Sequence, residues 1–176
     1  MSEPAVPIQD DKDWTVVLDH PCAECGYDAA AIRAQDVAQL VRDTIPRYTA
    51  ALARADAATR PQATTWSVLE YGCHVRDVGR VFDERFRLMV SEDDPHFANW
   101  DQDATALEDR YWTQDARIVA GEYAQAAEQV AATLDAITTA QWPRPGRRSN
   151  GSVFTLDSLA RYFGHDLVHH LHDIEA

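Results

Sequence analysis

The helical pattern with the clearest start signal lies in residues 66–91, which read WSVLEYGCHVRDVGRVFDERFRLMVS. Ser67 and Glu70 form a capping box, in which each side chain accepts a hydrogen bond from the backbone amide of the other residue. Apolar residues then recur at steps of three and four along one face. They are Val68, Tyr71, Val75, Val78, Phe82, Phe86 and Met89. The pattern predicts an amphipathic helix from Ser67 to about Ser91, with His74 at the margin of the apolar stripe.

Three further segments show the same periodicity. The first runs from about Gln35 to Arg54 and contains Pro46, which predicts a kink. The others run from about Asp115 to Ala140 and from about Leu156 to Ile174, the latter with Thr155 as its N-cap. Four amphipathic helices, without alternating strand patterns between them, predict an all-α protein with an antiparallel four-helix bundle. Two long links leave the topology of the bundle open.

The chain is expected to divide into an irregular N-terminal arm, residues 1–33, and a bundle, residues 34–176. Prolines interrupt a polar run in the arm; they are Pro4, Pro7 and Pro21. One short apolar patch in the arm, at residues 14–18, is expected to dock on the bundle. A long polar stretch separates the second helix pattern from the third; its polar and proline residues are Asp93, Asp94, Pro95, Asn99, Asp101 and Asp103.

Composition and charge restrict the function classes. The 176 residues are 45% hydrophobic and 26% charged, as expected for one globular domain, and the formal charge is −13. Such a surface repels nucleic-acid phosphates and anionic membranes, so neither is an expected partner. No window approaches the roughly 18 to 20 apolar residues of a membrane span, and the polar N-terminus is unlike a signal peptide. A cytoplasmic location is therefore expected.

Four of the seven histidines lie in one short part of the fourth helix pattern, GHDLVHHLHDI. Two pairs there have the i, i+4 spacing that places two ligands on one helix face: His165 with His169, and Asp166 with His170. Helical phase, at 100° per residue, places Asp166 and His170 at the edge of the apolar face. The same phase places His165, His169 and His172 on the opposite side, which predicts a solvated face.

His74, Asp166 and His170 are therefore the candidate ligands of one divalent metal. Two imidazoles and one carboxylate suit Zn, Ni, Fe(II) or Mn, of which Zn and Ni are favoured here. Three protein ligands leave coordination positions for water or substrate, as in catalytic sites. Asp173, beside them in phase, is expected to orient an imidazole. The alternative interpretation is that these histidines are only hydrogen-bonded at the edge of the core.

Two motifs, WSxxExxxH at residues 66–74 and DxxHHxxDI at residues 166–174, resemble those of the DinB superfamily of four-helix metalloenzymes. The resemblance covers most of the chain and implies metal ligation by His74, Asp166 and His170. Asp166 stands where the common form of the motif has histidine. The substitution is similar to the ligand set of two histidines and one glutamate in mycothiol-dependent maleylpyruvate isomerase, a relative of this superfamily, but it is also compatible with lost activity.

A register slip of one residue would instead make His165 and His169 the ligands. The resemblance implies a metal-dependent thiol S-transferase or isomerase, with a low-molecular-weight thiol such as mycothiol or bacillithiol and a small electrophile as partners. The alternative is a non-catalytic, stress-related module for metal binding or dimerisation; a homodimer is compatible with either. Tyr27, Tyr71 and residues 100–103 are candidates for a substrate wall, although a solvated loop is the favoured interpretation of residues 100–103.

Cys22 and Cys25 have the C-x-x-C-G spacing of half a zinc knuckle or of a redox pair. A second C-x-x-C is absent from the sequence, so a structural zinc would need His20, Cys73 or a partner chain. A redox pair would need a βαβ context, which the helical patterns do not indicate. A tight turn through Gly26 that packs two thiols against the bundle explains the motif equally well.

Overall fold

A computed structural model describes residues 12–176 of the chain. The helices are α1 (Val37–Leu52), α2 (Val68–Ser91), α3 (Gln102–Glu108), α4 (Ala116–Asp135) and α5 (Leu156–Asp173). The strands are β1 (His96–Phe97), β2 (Pro145–Arg148) and β3 (Val153–Thr155). Residues 1–11 of the predicted arm, with Pro4 and Pro7, lie outside the described residues.

The four long helices α1, α2, α4 and α5 confirm the predicted four-helix bundle. Helices α1 and α2 each pack against both α4 and α5. The start of α2 has the predicted capping box between Ser67 and Glu70, and Thr155 caps α5 in the same way through Ser158. Pro46 lies inside α1, which continues through it. The two caps determine the residues at which α2 and α5 begin, and hence where along the bundle axis their polar residues lie beside each other.

The end of α4 differs from the prediction. The helix ends at Asp135 rather than near Ala140. A turn replaces the last predicted part, because Gln141 N donates to Thr138 O at 2.9 Å and the Gln141 side chain accepts from Thr138 N. The apolar Ile137 is still buried, which explains why the periodicity continued past the helix.

The interior of the bundle is filled by apolar side chains from all four long helices. Among them are Tyr48, Phe82, Phe86, Tyr123, Phe163 and Leu167. Phe82 and Phe163 stack with ring centroids 4.9 Å apart, which joins α2 to α5 just below the level of the candidate ligands. Because α2 and α5 pack closely at this point, polar residues about two turns before Phe82 in α2 lie near polar residues about one to two turns after Phe163 in α5.

A small sheet beside the bundle was not predicted. Strand β1 is parallel to β2, and β2 is antiparallel to β3, in the order β1-β2-β3. Strands of two to four residues are too short to show an alternating pattern. A Cβ on Gly146 in β2 would lie 2.7 Å from the Met89 side chain, so this glycine allows the sheet to approach α2 closely.

The link between α2 and α4 contains short regular elements that the sequence interpretation did not predict. It contains β1 and the short helix α3, which begins after Asp101. The Asp101 carboxylate accepts from Ala104 N at 2.9 Å, so an acidic residue assigned to a polar link is an N-cap. Trp100, immediately before this cap, donates through its indole N–H to Thr105 at 2.8 Å. These contacts hold residues 100–103 in one conformation.

Residues 12–36, called the N-terminal segment below, consist of short 3-10 turns and connecting loops. Four of its buried residues form a cluster that packs on α1 and α5; they are Val17, Cys22, Tyr27 and Ala29. Tyr27 donates its hydroxyl hydrogen to Arg161 O at 2.9 Å. A Cβ on Gly164 would lie 2.7 Å from the same hydroxyl oxygen, so α5 admits Tyr27 only because this position has no side chain.

None of the helices in residues 12–176 has the length and apolarity needed to cross a lipid bilayer.

Candidate metal centre

The structure brings His74 of α2 together with Asp166 and His170 of α5. One potential ligand atom from each lies within 4.8 Å of the others. Asp166 Oδ1 is 3.6 Å from His74 Nε2 and 3.2 Å from His170 Nε2, so the carboxylate lies between the two imidazoles. The i, i+4 spacing on α5 and the inward phase of His74 together produce this arrangement.

His74 provides the test of whether these residues fit a cation. Its side chain is 1% exposed, and neither ring nitrogen has a hydrogen-bond partner within residues 12–176. Trp100 stacks on the imidazole with the ring centroids 5.6 Å apart and the planes 9° from parallel. A buried polar atom without a partner costs about 1–3 kcal/mol. A cation between His74 and Asp166 would remove that cost, so the donor set fits a divalent metal.

Asp173 is a second carboxylate at this site. It lies 2.8 Å from His170 Nδ1, on the side of the ring away from Asp166. Metal-binding histidines commonly donate their other N–H to a carboxylate, which fixes the tautomer and the orientation of the ring. The contact matches the role expected for Asp173 from its position in the sequence.

Burial and mutual contact shift the protonation of the three candidate ligands. Burial lowers the pKa of His74 despite the nearby Asp166 carboxylate. Burial would raise the pKa of Asp166, but the contacts with His170 and His74 outweigh it and lower that pKa. Burial would lower the pKa of His170, but Asp166 and Asp173 outweigh it and raise that pKa. The two neighbouring carboxylates, Asp166 and Asp173, therefore favour the protonated form of His170 when no metal is bound.

Asp166 and His170 line a cavity of about 580 Å³. Residues 100–103, predicted as a candidate substrate wall, line it too, as do Arg148 and Tyr162. Two other wall candidates pack against histidine rings. The ring centroids of Tyr71 and His170 are 5.2 Å apart, and those of Tyr27 and His165 are 5.6 Å apart. The cavity therefore reaches the proposed ligands of α5, while His74 is buried behind them.

The sequence interpretation missed Arg148 in this cavity. Its guanidinium carbon lies 5.7 Å from the centre of the Tyr162 ring, and its Nη2 donates to Ser152 Oγ at 3.0 Å. The small sheet positions Arg148, because β2 pairs with β1 at Phe97 and with β3. In the sequence this arginine lies in the link between the third and fourth helix patterns, and nothing there connects it with the candidate ligands of the fourth.

The prediction that His165 and His169 lie on a solvated face is wrong. Their exposures are 3% and 6%, whereas His172 is exposed as predicted. The N-terminal segment covers this side of α5. The centroid of the Trp14 ring lies 5.3 Å from that of His165 and 4.6 Å from that of His169. Helical phase identifies the face of α5 that points to the bundle core. It does not show whether another segment of the chain covers the opposite face.

His165 and His169 lie instead beside Cys22 and Cys25. One potential ligand atom from each of these four residues lies within 4.8 Å of the others. The sequence interpretation named His20, Cys73 or a partner chain as sources of further ligands for a structural zinc, whereas the structure places His165 and His169 beside the cysteine pair. Cys73 is buried in a separate cluster, with its sulfur 3.9 Å from Tyr111 O. The two i, i+4 pairs of α5 thus belong to two different clusters.

Comparisons with known proteins agree with the fold. No curated protein matches the chain. Among solved structures, the chain is similar to YfiT from Bacillus subtilis, described as a probable metal-dependent hydrolase with an unusual four-helix bundle topology. The TM-score is 0.71 at 20% sequence identity, over 81% of this chain and 84% of that chain. The sequence profile of the DinB superfamily matches residues 37–174, which include all three candidate ligands, and the chain therefore belongs to the DinB superfamily.

Proposed function

We propose that this protein is a metal-dependent enzyme that transfers a low-molecular-weight thiol to a small electrophile. His74, Asp166 and His170 would hold one divalent cation, with Zn or Ni favoured by this donor set. The observation that carries the proposal is the buried imidazole of His74, whose two ring nitrogens have no hydrogen-bond partner within residues 12–176 and which faces Asp166 beside a cavity. Three protein ligands leave positions open for a reactant.

The cation, when bound, would act as a Lewis acid that lowers the pKa of a thiol or water and so provides a nucleophile at neutral pH. The chain's own residues would prepare the site. Asp173 holds the His170 ring through its Nδ1 atom, 2.8 Å away. Trp100 covers one face of His74 and keeps water from it. Asp166 supplies a negative charge that offsets the charge of the cation.

The cavity suits a small polar substrate. Its walls carry both acidic groups, among them Asp101 and Asp103, and the guanidinium of Arg148. Tyr162 and Ser152 hold Arg148 in place, so that it can bind an anionic group of the substrate with little loss of side-chain entropy. A carboxylate-bearing thiol or electrophile would be oriented by Arg148 against the reactive position beside Asp166 and His170.

Thiol transfer is supported by the resemblance of the ligand motif to that of thiol-dependent members of the superfamily. Hydrolysis is the second candidate, because YfiT is described as a probable metal-dependent hydrolase. The two activities differ in the nucleophile and not in the ligand set. An assay with and without added thiol therefore separates them.

The test is an activity assay on tag-free protein with its metal content measured in parallel. The thiols are reduced mycothiol, bacillithiol and cysteine, and the electrophile is chlorodinitrobenzene, which releases chloride as the thioether forms. We expect thiol-dependent product formation, and loss of about one equivalent of metal in His74→Ala and in His170→Ala. Because a bound cation contributes several kcal/mol to the transition state, each variant should lose about a thousandfold in rate.

His172→Ala is the matched control, since His172 is an exposed histidine on the same helix. It should keep both metal and rate. Retention of the full metal content by His170→Ala would contradict the ligand assignment. Thiol-independent hydrolysis of a nitrophenyl ester, lost in the same variants, would favour the hydrolase. Bound metal without turnover in any arm would favour the non-catalytic module.

A further inference from the structure

We infer a second metal site in this protein, formed by Cys22, Cys25, His165 and His169, which binds a structural zinc ion and fastens the N-terminal segment to α5. The site is distinct from the candidate centre and shares none of its proposed ligands. It also gives the C-x-x-C motif the second pair of ligands that the sequence interpretation could not identify.

The spacing of the atoms supports this assignment. Cys22 Sγ lies 3.7 Å from His169 Nδ1. In a tetrahedral site with Zn–S near 2.3 Å and Zn–N near 2.0–2.1 Å, a sulfur and a nitrogen ligand are about 3.6 Å apart. One ligand atom from each of the four residues lies within 4.8 Å of the others, so inward side-chain shifts of about 1 Å would complete a tetrahedron.

His165 supplies an independent observation. It is 3% exposed, and its Nε2 atom has no hydrogen-bond partner within the part of the chain that the structure describes. Trp14 and Tyr27 contact the ring, but neither gives that nitrogen a polar partner. An unpartnered imidazole nitrogen in a cluster with two buried or half-buried thiols is the arrangement expected around a soft cation.

The backbone of the cysteine loop has the shape that such a site needs. Gly26 N donates to Cys22 O at 2.9 Å, and Cys22 N donates to Tyr27 O at 2.8 Å. Gly26 has a φ of 75°, a conformation that glycine adopts without strain. The turn closes between Cys22 and Tyr27 and presents both sulfurs to α5. The resulting C-x₂-C and H-x₃-H spacings are those of structural zinc sites.

The surroundings suit a buried ion. Two thiolates and two neutral imidazoles around Zn²⁺ have no net charge, which limits the cost of burial. His169 Nε2, on the ring edge away from Cys22, lies 3.5 Å from Glu24 Oε2 and 3.7 Å from Asp173 Oδ1. Outer carboxylates of this kind orient metal-binding imidazoles.

Four protein ligands close the coordination sphere, which indicates a structural ion. Its effect would be to hold the N-terminal segment on α5. Lys12, Asp13 and Trp14 of that segment line the cavity beside Asp166 and His170. Two of the proposed zinc ligands, His165 and His169, line the same cavity. The zinc ion would therefore stabilise one wall of the cavity.

The test uses full-length, tag-free protein purified with a reductant and reconstituted with zinc or with Co(II). We expect about two equivalents of metal and sulfur-to-cobalt charge-transfer absorption. The double variant Cys22→Ser/Cys25→Ser should keep one equivalent and lose that absorption. His170→Ala should also keep one equivalent but retain the absorption. Cys73→Ser is the matched control, because Cys73 is a buried thiol outside the cluster, and it should keep both.

Absence of sulfur-to-cobalt absorption from the wild-type protein would overturn the proposal, as would two equivalents of metal in the double cysteine variant. If the double variant fails to fold by circular dichroism, alkylation of the wild type decides. Iodoacetamide should modify Cys22 and Cys25 only after a chelator is added. Equal modification before and after chelation, or a Cys22–Cys25 disulfide in the reduced preparation, would overturn the site. The sulfur-to-cobalt absorption and the alkylation depend neither on turnover nor on His170, so they test this site even if the candidate centre binds no metal.

Discussion

At the level of single residues, neighbouring histidines of α5 have different surroundings although one peptide bond joins them. His169 faces Cys22, whereas His170 faces Asp166. One residue step turns a helix by about 100°, so adjacent side chains point into different layers of the protein. Asp173 lies between them, 2.8 Å from His170 Nδ1 and 3.7 Å from His169 Nε2. One carboxylate therefore contacts a proposed ligand of each site.

Glu70 illustrates a buried charge that has full compensation. It is 1% exposed and accepts hydrogen bonds from Ser67 N at 2.8 Å and from Arg60 Nε at 2.9 Å. Burial would raise the pKa of Glu70, but the contacts with Arg60 and Ser67 outweigh it and hold the pKa below its usual 4.5. A carboxylate with a lowered folded-state pKa stabilises the fold above its unfolded pKa and loses that effect as the pH falls through the folded value.

We expect Glu70→Gln to lower the free energy of unfolding by about 3 kcal/mol at pH 7, because it leaves the Arg60 charge partly buried without its partner. The difference between wild type and variant should shrink as the pH falls below about 4.5. Urea unfolding at neutral and acidic pH measures both. The control Glu128→Gln removes an exposed partner of Arg42 and should change stability by less than about 1 kcal/mol. A pH-independent difference for Glu70→Gln would contradict the pairing.

At the level of elements, the contact between α5 and the N-terminal segment depends on Gly164. The Tyr27 hydroxyl occupies the space where a side chain at this position would begin, and Tyr27 is 6% exposed. Glycine in a helix interior costs about 1 kcal/mol relative to alanine. Gly164 therefore lowers the helix propensity of α5, but it allows the N-terminal segment to pack closely against the helix.

Gly164→Ala should destabilise the protein by about 1–3 kcal/mol, because overpacking against Tyr27 exceeds the gain in helix propensity. Gly121→Ala is the matched control. Gly121 lies in α4, and a Cβ at this position would meet no atom within 4 Å, so alanine there should stabilise by about 0.5–1 kcal/mol. Urea unfolding of both variants gives the comparison. Stabilisation by both substitutions would show that Tyr27 does not pack against α5 as described.

At the level of the whole molecule, the two clusters lie side by side at one end of α5. His169 and His170 have ring centroids 5.6 Å apart. The chain has a formal charge of −13 and two buried clusters of ligand-type side chains. Any divalent cation that binds the folded chain and not the unfolded chain would stabilise the fold. Metal removal should therefore affect global unfolding as well as activity.

Chelation should lower the melting temperature. Each ion held at a hundredfold above its dissociation constant contributes about 2.7 kcal/mol, and 1 kcal/mol shifts the melting temperature of a domain of this size by about 2–4 °C. Removal of both ions should lower it by about 10–20 °C, and excess zinc should restore it. Calorimetry with and without the chelator measures the shift. A chelator-independent melting temperature in metal-loaded protein would contradict the structural role of the ions.

Much of the fold was predictable because its signals are local. The Ser67 capping box and the Thr155 cap depend on residues three apart, and the apolar stripe of α2 repeats within each turn. The inward phase of His74 and the edge position of Asp166 and His170 follow from the same periodicity. The small sheet and α3 were missed, because very short elements carry no periodic signal.

The sequence by itself determined the four long helices, their apolar faces and the three side chains of the candidate centre that those faces bring together. Only the tertiary structure decided the surroundings of His165 and His169. Cys22 is 147 residues from His169 along the chain, yet their side chains are in contact. Periodicity within α5 describes one helix face and the core beneath it. Burial of the opposite face results from the N-terminal segment packing there, a contact that depends on the folded path of the whole chain.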